Sequence, residues 1–257
     1  MLLAINANNT NTVFAVWEGT ALKGSWRAST DVRRTADEYV VWLDHLMALA
    51  GLQRAAITGA IIASVVPDAN FNLLTLCRRY VNGEPLMIGE RGVDLGTRAL
   101  VDHPAEVGAD RIANAVAAHD RYRQPLVVVD FGTATNFDVV DGDGNYCGGV
   151  IAPGVTLSVQ ALHMAAAKLP SVRIRRIDTV IGKNTVACMQ SGIYWGYVGL
   201  IEGLIQRIKQ EFGAPMTAIA TGGLAPLFDG AIAGIERIDP DLTLWGLRLI
   251  HERNRKP

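Results

Sequence analysis

Leu3-Ala-Ile-Asn6-Ala7-Asn8-Asn9-Thr10-Asn11-Thr12-Val13-Phe14-Ala15-Val16 and Val127-Val-Val-Asp130-Phe-Gly132-Thr133-Ala-Thr135-Asn136-Phe137-Asp138-Val-Val140 read as two versions of one unit. Each is an apolar strand, a short polar turn and a second strand in which apolar residues alternate. Asn6 aligns with Asp130 and Asn8 with Gly132, an offset of 124 residues in a chain of 257. An offset near half the length predicts two copies of one fold unit. A solenoid would need three or more short repeats.

Working outward, each hairpin is followed by alternating helices and strands. Thr35 and Glu38 form a capping box ahead of a helical face made by Tyr39, Val40, Leu43, Leu46, Met47 and Ala50. Ala60–Val66 reads as a buried strand stopped by Pro67, then a helix near Ala69–Tyr80 and a short strand at Pro85–Ile88. Gly108-Ala109-Asp110-Arg111 opens a helix that runs to about His119. Further on, Gly192–Phe212 reads as a long helix and Met216–Ala220 as a strand ending in Thr221-Gly222-Gly223. Strands alternating with helices predict an α/β class. No low-complexity linker separates the halves, so the expectation is two similar lobes, 1–118 and 119–257, with a cleft between them.

Composition removes several classes of function. With 49% hydrophobic and 19% charged residues the chain can bury a large core, and disorder is excluded. A net charge of −1 leaves no basic field for nucleic acid or an anionic membrane. Arg173, Arg175 and Arg176 read as one solvated strand face. The three cysteines, Cys77, Cys147 and Cys188, are dispersed and form no C-x-x-C pair, which suits a reducing cytoplasm. The five histidines are scattered as well, with no H-E-x-x-H spacing. Met1–Val16 lacks the features of a signal peptide, and Ala55–Pro67 is too short and too interrupted to span a bilayer.

The candidate chemistry lies at the turns. Successive backbone N–H groups at a bend of small residues form a concavity for phosphate oxygens. Asn9, Thr10, Asn11, Thr133 and Thr135 can add side-chain donors. A carboxylate at the end of the preceding strand, Asp130, can hold a cation beside the phosphates. Asp110, in the first turn of a helix, sits where the helix dipole keeps a carboxylate ionised and able to accept a hydroxyl proton. Arg111 offers a planar fork to a substrate carboxylate. Gly148–Gly154 reads as a loop packed close to a ligand or another strand. Thr185 can cap a helix or touch a ligand. Thr221-Gly222-Gly223 is a loop after a strand, a common place for nucleotide contacts.

Taken together these stretches resemble the type III pantothenate kinases. The resemblance covers almost the whole chain: N-T-N-T at Asn9–Thr12, R-T-A-D-E-Y at Arg34–Tyr39, V-G-A-D-R at Val107–Arg111, V-D-F-G-T-A-T at Val129–Thr135, G-G-V-I-A-P-G at Gly148–Gly154, I-G-K-N-T at Ile181–Thr185, T-G-G at Thr221–Gly223 and D-P-D-L-T-L-W-G-L at Asp239–Leu247. The resemblance implies a duplicated actin-like (ribonuclease H-like) fold with mixed sheets and ATP-dependent phosphorylation of pantothenate on the way to coenzyme A. It also implies Mg²⁺, a monovalent cation (K⁺ or NH₄⁺) and a homodimer. Carried over by motif, Asn6, Ala7, Asn8, Asn9, Thr10, Asn11, Thr12 and Val13 face ATP, with Thr133. Asp110 is the general base. Gly108, Ala109, Asp110, Arg111 and Thr185 line the pantothenate site, and Asp130 holds the monovalent cation.

One departure stands out. The family's first turn reads D-x-G-N-T, whereas this chain has Asn6 and Asn8 in place of the Asp and the Gly. Asn6 keeps the shape and one acceptor oxygen but loses the charge. Asn8 tolerates a left-handed backbone, though less freely than Gly. Three readings follow: a working pantothenate kinase, a family member that binds ligand in a regulatory role with little turnover, or a related small-molecule kinase with another acceptor.

Overall fold

The computed structural model describes residues 1–81, 83–165 and 170–255. It divides into two compact units, one of residues 1–120 with 242–257 and the other of 121–241. Each is built on a mixed five-stranded sheet.

In the first unit, β1 (Leu2–Ala7), β2 (Asn11–Glu18) and β3 (Ala21–Ser29) form an antiparallel meander. β4 (Gly59–Ser64) and β5 (Leu86–Met87) add on the other side in parallel, giving the order β3-β2-β1-β4-β5. Period-2 alternation divides β1 between two cores. Leu3 and Ile5 join Phe14, Val16 and residues of α1 (Ala36–Leu49) and α2 (Pro67–Tyr80). Leu2 and Ala4 face the other way, into a core shared with Trp17, Ile61, α3 (Ala109–Tyr122) and a later helix. α1 starts as expected, with both halves of the Thr35–Glu38 capping box in place.

The second unit repeats this plan. β6 (Leu126–Phe131), β7 (Ala134–Val140) and β8 (Tyr146–Pro153) form the meander. After α4 (Val155–Ala165) and α5 (Thr185–Phe212), β9 (Thr217–Thr221) pairs parallel to β6, and β10 (Ile235–Ile238) pairs parallel to β9. The order β10-β9-β6-β7-β8 is the first sheet's order, with β6 standing where β1 stands. The duplication read from the two hairpins is therefore a duplication of topology. The α/β class and the actin-like arrangement of mixed sheets hold. Phe131 and Tyr194 stack on Phe228 in this unit's core, and Tyr197 packs tilted against it; both tyrosines come from α5.

Some segments differ from their sequence reading. Gly148–Gly154 is mostly strand β8 rather than loop, because its residues alternate against β7 and only Gly154 lies beyond the strand. α5 begins at Thr185, seven residues before the expected start at Gly192. Arg173–Arg176 forms no strand. Val172 and Ile174 turn inward and Arg173 and Arg175 outward, but the segment has no strand assignment. Among the described residues no helix is long and apolar enough to cross a membrane.

The C-terminal helix α6 (Leu242–Arg253) belongs to the first unit, which differs from a division at residue 118. Leu244, Leu247 and Ile250 bury against the Leu2–Ala4 face of the first sheet. Thr243 donates to Asn114 Oδ1 at 2.7 Å and Trp245 Nε1 to Asp120 at 2.9 Å, tying α6 to α3. Gly246 lets the two helices meet backbone to backbone: a Cβ there would overlap the carbonyl of Ala113. Gly246→Ala gains about 1 kcal/mol in helix propensity, but the overlap with a backbone group that cannot rotate away outweighs it. The expected net loss is about 2 kcal/mol in urea unfolding.

Candidate functional site

In the first unit the site residues collect at the end of the sheet where β1 and β4 run out. Asn6 is the penultimate residue of β1, paired with Val13 on β2 and Ala63 on β4. By alternation its side chain lies on the α3 face with Leu2 and Ala4. It is only 6% exposed, and its Oδ1 has no hydrogen-bond partner. The Oδ1 of Asn8 is buried and unmet in the same way.

The turn that follows closes through Asn8 N–H to the Asn11 carbonyl at 3.0 Å. No residue in it has a left-handed backbone, since Arg123 is the only non-glycine with positive φ among the described residues. The turn does not visit the region where glycine is required, so Asn8 costs it space rather than strain.

Gly108, Ala109, Asp110 and Arg111 arrive at the same end of the sheet. Val65, just after β4, donates its N–H to the Ala7 carbonyl at 3.0 Å. A methyl placed on Gly108 would stand 3.6 Å from Val65 Cγ1 and 2.7 Å from Asp110 Oδ1. Gly108 is thus glycine to leave room for the Asp110 carboxylate. That carboxylate accepts the Arg111 N–H at 2.8 Å. Val65 thus bonds the end of β1 and lies close to Gly108, next to the candidate base. Val65 is a contact that the sequence did not flag, because a valine after a buried strand carries no chemical signal.

Burial raises the Asp110 carboxyl above the ordinary carboxylate value, and the bond from Arg111 and its charge only partly oppose this. The helix dipole favours the ionised form, and desolvation, the larger effect here, works against it. A raised carboxylate is a better proton acceptor, provided it remains ionised at working pH.

The second unit gathers its own candidates. Asp130 is the penultimate residue of β6 and pairs with Asn136 and Thr221. Gly222 has φ +92°, and a Cβ on it would stand 2.5 Å from Asp130 Oδ1 and 2.7 Å from Phe131 N. Gly154 donates its N–H to the Thr133 carbonyl at 3.2 Å. A Cβ there would overlap that carbonyl and stand 2.7 Å from the Gly132 oxygen. Three stretches separated in sequence thus close around the turn after β6. Thr135 is fully buried and bonds the Tyr197 hydroxyl, so it is part of the core rather than a surface donor. Thr185 is exposed at the first position of α5. Asn184 is the cap, accepting from Ala187 N–H at 2.9 Å, so capping does not account for Thr185.

The donor set fits a metal that arrives with phosphates. Among the described residues no group of three or more His, Cys, Asp or Glu could hold an ion. Mg²⁺ bound with a nucleotide takes its oxygens mainly from phosphates, water and one or two protein groups. The unmet oxygens of Asn6 and Asn8 suit that role as neutral acceptors.

A family model described as Type III pantothenate kinase matches residues 2–207. A Type III pantothenate kinase of Paramagnetospirillum magneticum is 64% identical over 257 residues, covering 100% of this chain and 99% of that one. One from Rhodospirillum rubrum is 63% identical, covering 99% of each. The chain belongs to the type III pantothenate kinase family. The fold extends further: a Sinorhizobium meliloti structure assigned as a 2-dehydro-3-deoxygalactonokinase superposes with a TM-score of 0.63, with 11% identity and 98% and 99% of the two chains covered. As a type III pantothenate kinase, the chain places Asn6 and Asp130 at the ends of β1 and β6, strands that correspond by topology.

The glycine at 154 yields a direct test. Gly154→Ala meets two backbone carbonyls at once and has no side chain to displace. Chemical unfolding should show a loss of about 2–3 kcal/mol, and amide exchange at 131–134 should quicken.

Proposed function

We propose that this kinase transfers the γ-phosphoryl group of ATP to the primary hydroxyl of pantothenate, giving 4'-phosphopantothenate and ADP, the first step toward coenzyme A. The observation that carries this reading is the Asp110 carboxylate, buried beside Gly108, which lies close to the Val65 that bonds the end of β1.

In the reaction the hydroxyl oxygen forms a bond to the γ-phosphorus, and the bond from that phosphorus to the β–γ bridging oxygen breaks. Asp110 takes the hydroxyl proton, and the bridging oxygen leaves on ADP. Arg111 pairs with the pantothenate carboxylate, while Gly108 and Ala109 bring the backbone close to it. The turn Asn6–Val13 offers N–H and side-chain donors to the phosphates. The family motif assigns Thr133 to ATP as well. Mg²⁺ neutralises phosphate charge when bound, with Asn6 and Asn8 as neutral oxygen donors. Asp130 holds K⁺ or NH₄⁺. The family motif also assigns Thr185, exposed at the start of α5, to pantothenate. A homodimer working in the cytoplasm completes the reading: the dimer follows from the family, and the three free cysteines suit a reducing cytoplasm.

A coupled assay with pantothenate, ATP, Mg²⁺ and NH₄⁺ is expected to show turnover dependent on all four. Pantothenate binding without turnover, with activity appearing on Asn6→Asp plus Asn8→Gly, would instead support a ligand-binding role. Asp110→Asn should lower kcat by about 10²–10⁴-fold with little change in pantothenate binding. Unchanged kcat would remove Asp110 from the base role.

The pH profile has a defined sign. The base must be ionised, and burial raises its pKa, so kcat/KM should fall as pH drops through a value above the ordinary carboxylate of about 3.9. An acid limb at or below that value would contradict the role of Asp110.

A further inference from the structure

The first turn keeps its shape without glycine, and a residue outside every motif accounts for this. Thr30 directly follows β3. Its hydroxyl donates to the Asn8 carbonyl at 2.6 Å, and its N–H donates to the Thr10 carbonyl at 3.0 Å. A hydroxyl has one hydrogen, so in its 3.0 Å pair with the Thr12 hydroxyl Thr30 accepts and Thr12 donates.

These bonds orient two peptide planes. No described peptide is cis, and in a trans peptide the C=O and the following N–H point in opposite directions. With the Asn8 and Thr10 carbonyls both drawn to Thr30, the N–H groups of Asn9 and Asn11 are turned to the other side of the bend. Two N–H groups one residue apart on one side make a small anion-binding concavity. No residue of the turn has a left-handed backbone to set this shape.

We propose that Thr30 is the positioning residue of the first phosphate cradle, holding the Asn8–Asn9 and Thr10–Asn11 peptides so that their N–H groups meet a nucleotide phosphate. The proposal rests on the reading of this turn as a phosphate site. Thr30 itself does not touch the nucleotide. Its hydroxyl works through the Asn8 carbonyl and its N–H through the Thr10 carbonyl.

The experiment compares wild type with Thr30→Val, Thr30→Ser and Asn9→Pro. It measures KM for ATP and for pantothenate, and ADP binding by calorimetry. Thr30→Val keeps shape and N–H but loses the hydroxyl. It should raise KM for ATP and weaken ADP binding about tenfold, with KM for pantothenate unchanged. Thr30→Ser should restore both. Asn9→Pro removes one proposed donor without touching Thr30, and it should weaken ADP as well.

Intact ADP binding in Thr30→Val with weakened binding in Asn9→Pro would overturn the role of Thr30 and leave the cradle standing. Intact binding in Asn9→Pro would overturn the phosphate reading of the turn itself. An equal rise in both KM values for Thr30→Val, or loss of its fold by circular dichroism, would show a general structural role and also overturn the proposal.

Discussion

A polar side chain near the end of a strand buried on both faces is the constraint from which the rest follows. β1 is buried along its whole length, yet its fifth residue is an asparagine with an unmet oxygen. An unpaired buried amide costs about 1–3 kcal/mol, so a sheet built for stability alone would place an apolar residue there. β6 carries Asp130 at the same position of the same topology. Both units therefore give up apolar packing at the end of the central strand and place a polar side chain next to the turn.

The surrounding glycines make sense from that starting point. Gly108, Gly154 and Gly222 each lie where a Cβ would strike a carboxylate or a carbonyl belonging to one of these strand ends or to Asp110. Only Gly222 of the three has positive φ. The other two are glycines for space, not for backbone freedom. Crowding at Asp110 also has an electrostatic consequence, because the burial that fits the carboxylate against Gly108 makes it a stronger proton acceptor than an exposed one.

The replacement of the family's Asp and Gly by Asn6 and Asn8 is milder than it looks in the sequence. The turn avoids left-handed backbone, so Asn8 introduces no strain. Asn6 retains an acceptor oxygen in the buried position but brings no charge. What the replacement gives up is charge: Asn6 and Asn8 offer neutral oxygens only.

Much of this was legible in the residues. The repeated hairpin predicted two copies of one unit because strand alternation and turn chemistry are local properties. The capping box at Thr35–Glu38 and the motifs around Asp110 and Asp130 were readable for the same reason. Other features depended on distant partners. Gly148–Gly154 became a strand because β7 lies beside it, and α6 joined the first unit because Leu244, Leu247 and Ile250 match a face of a sheet formed some 240 residues earlier. The direction of the Asp110 shift required its burial, and the roles of Val65 and Thr30 required knowing which carbonyls they reach. The chain alone determined which segments repeat and which side chains can do chemistry, since those are matters of residue type and spacing. Only tertiary structure decided which strand ends those side chains share and what they touch, because hydrogen bonds and excluded volume act between atoms that the sequence keeps far apart.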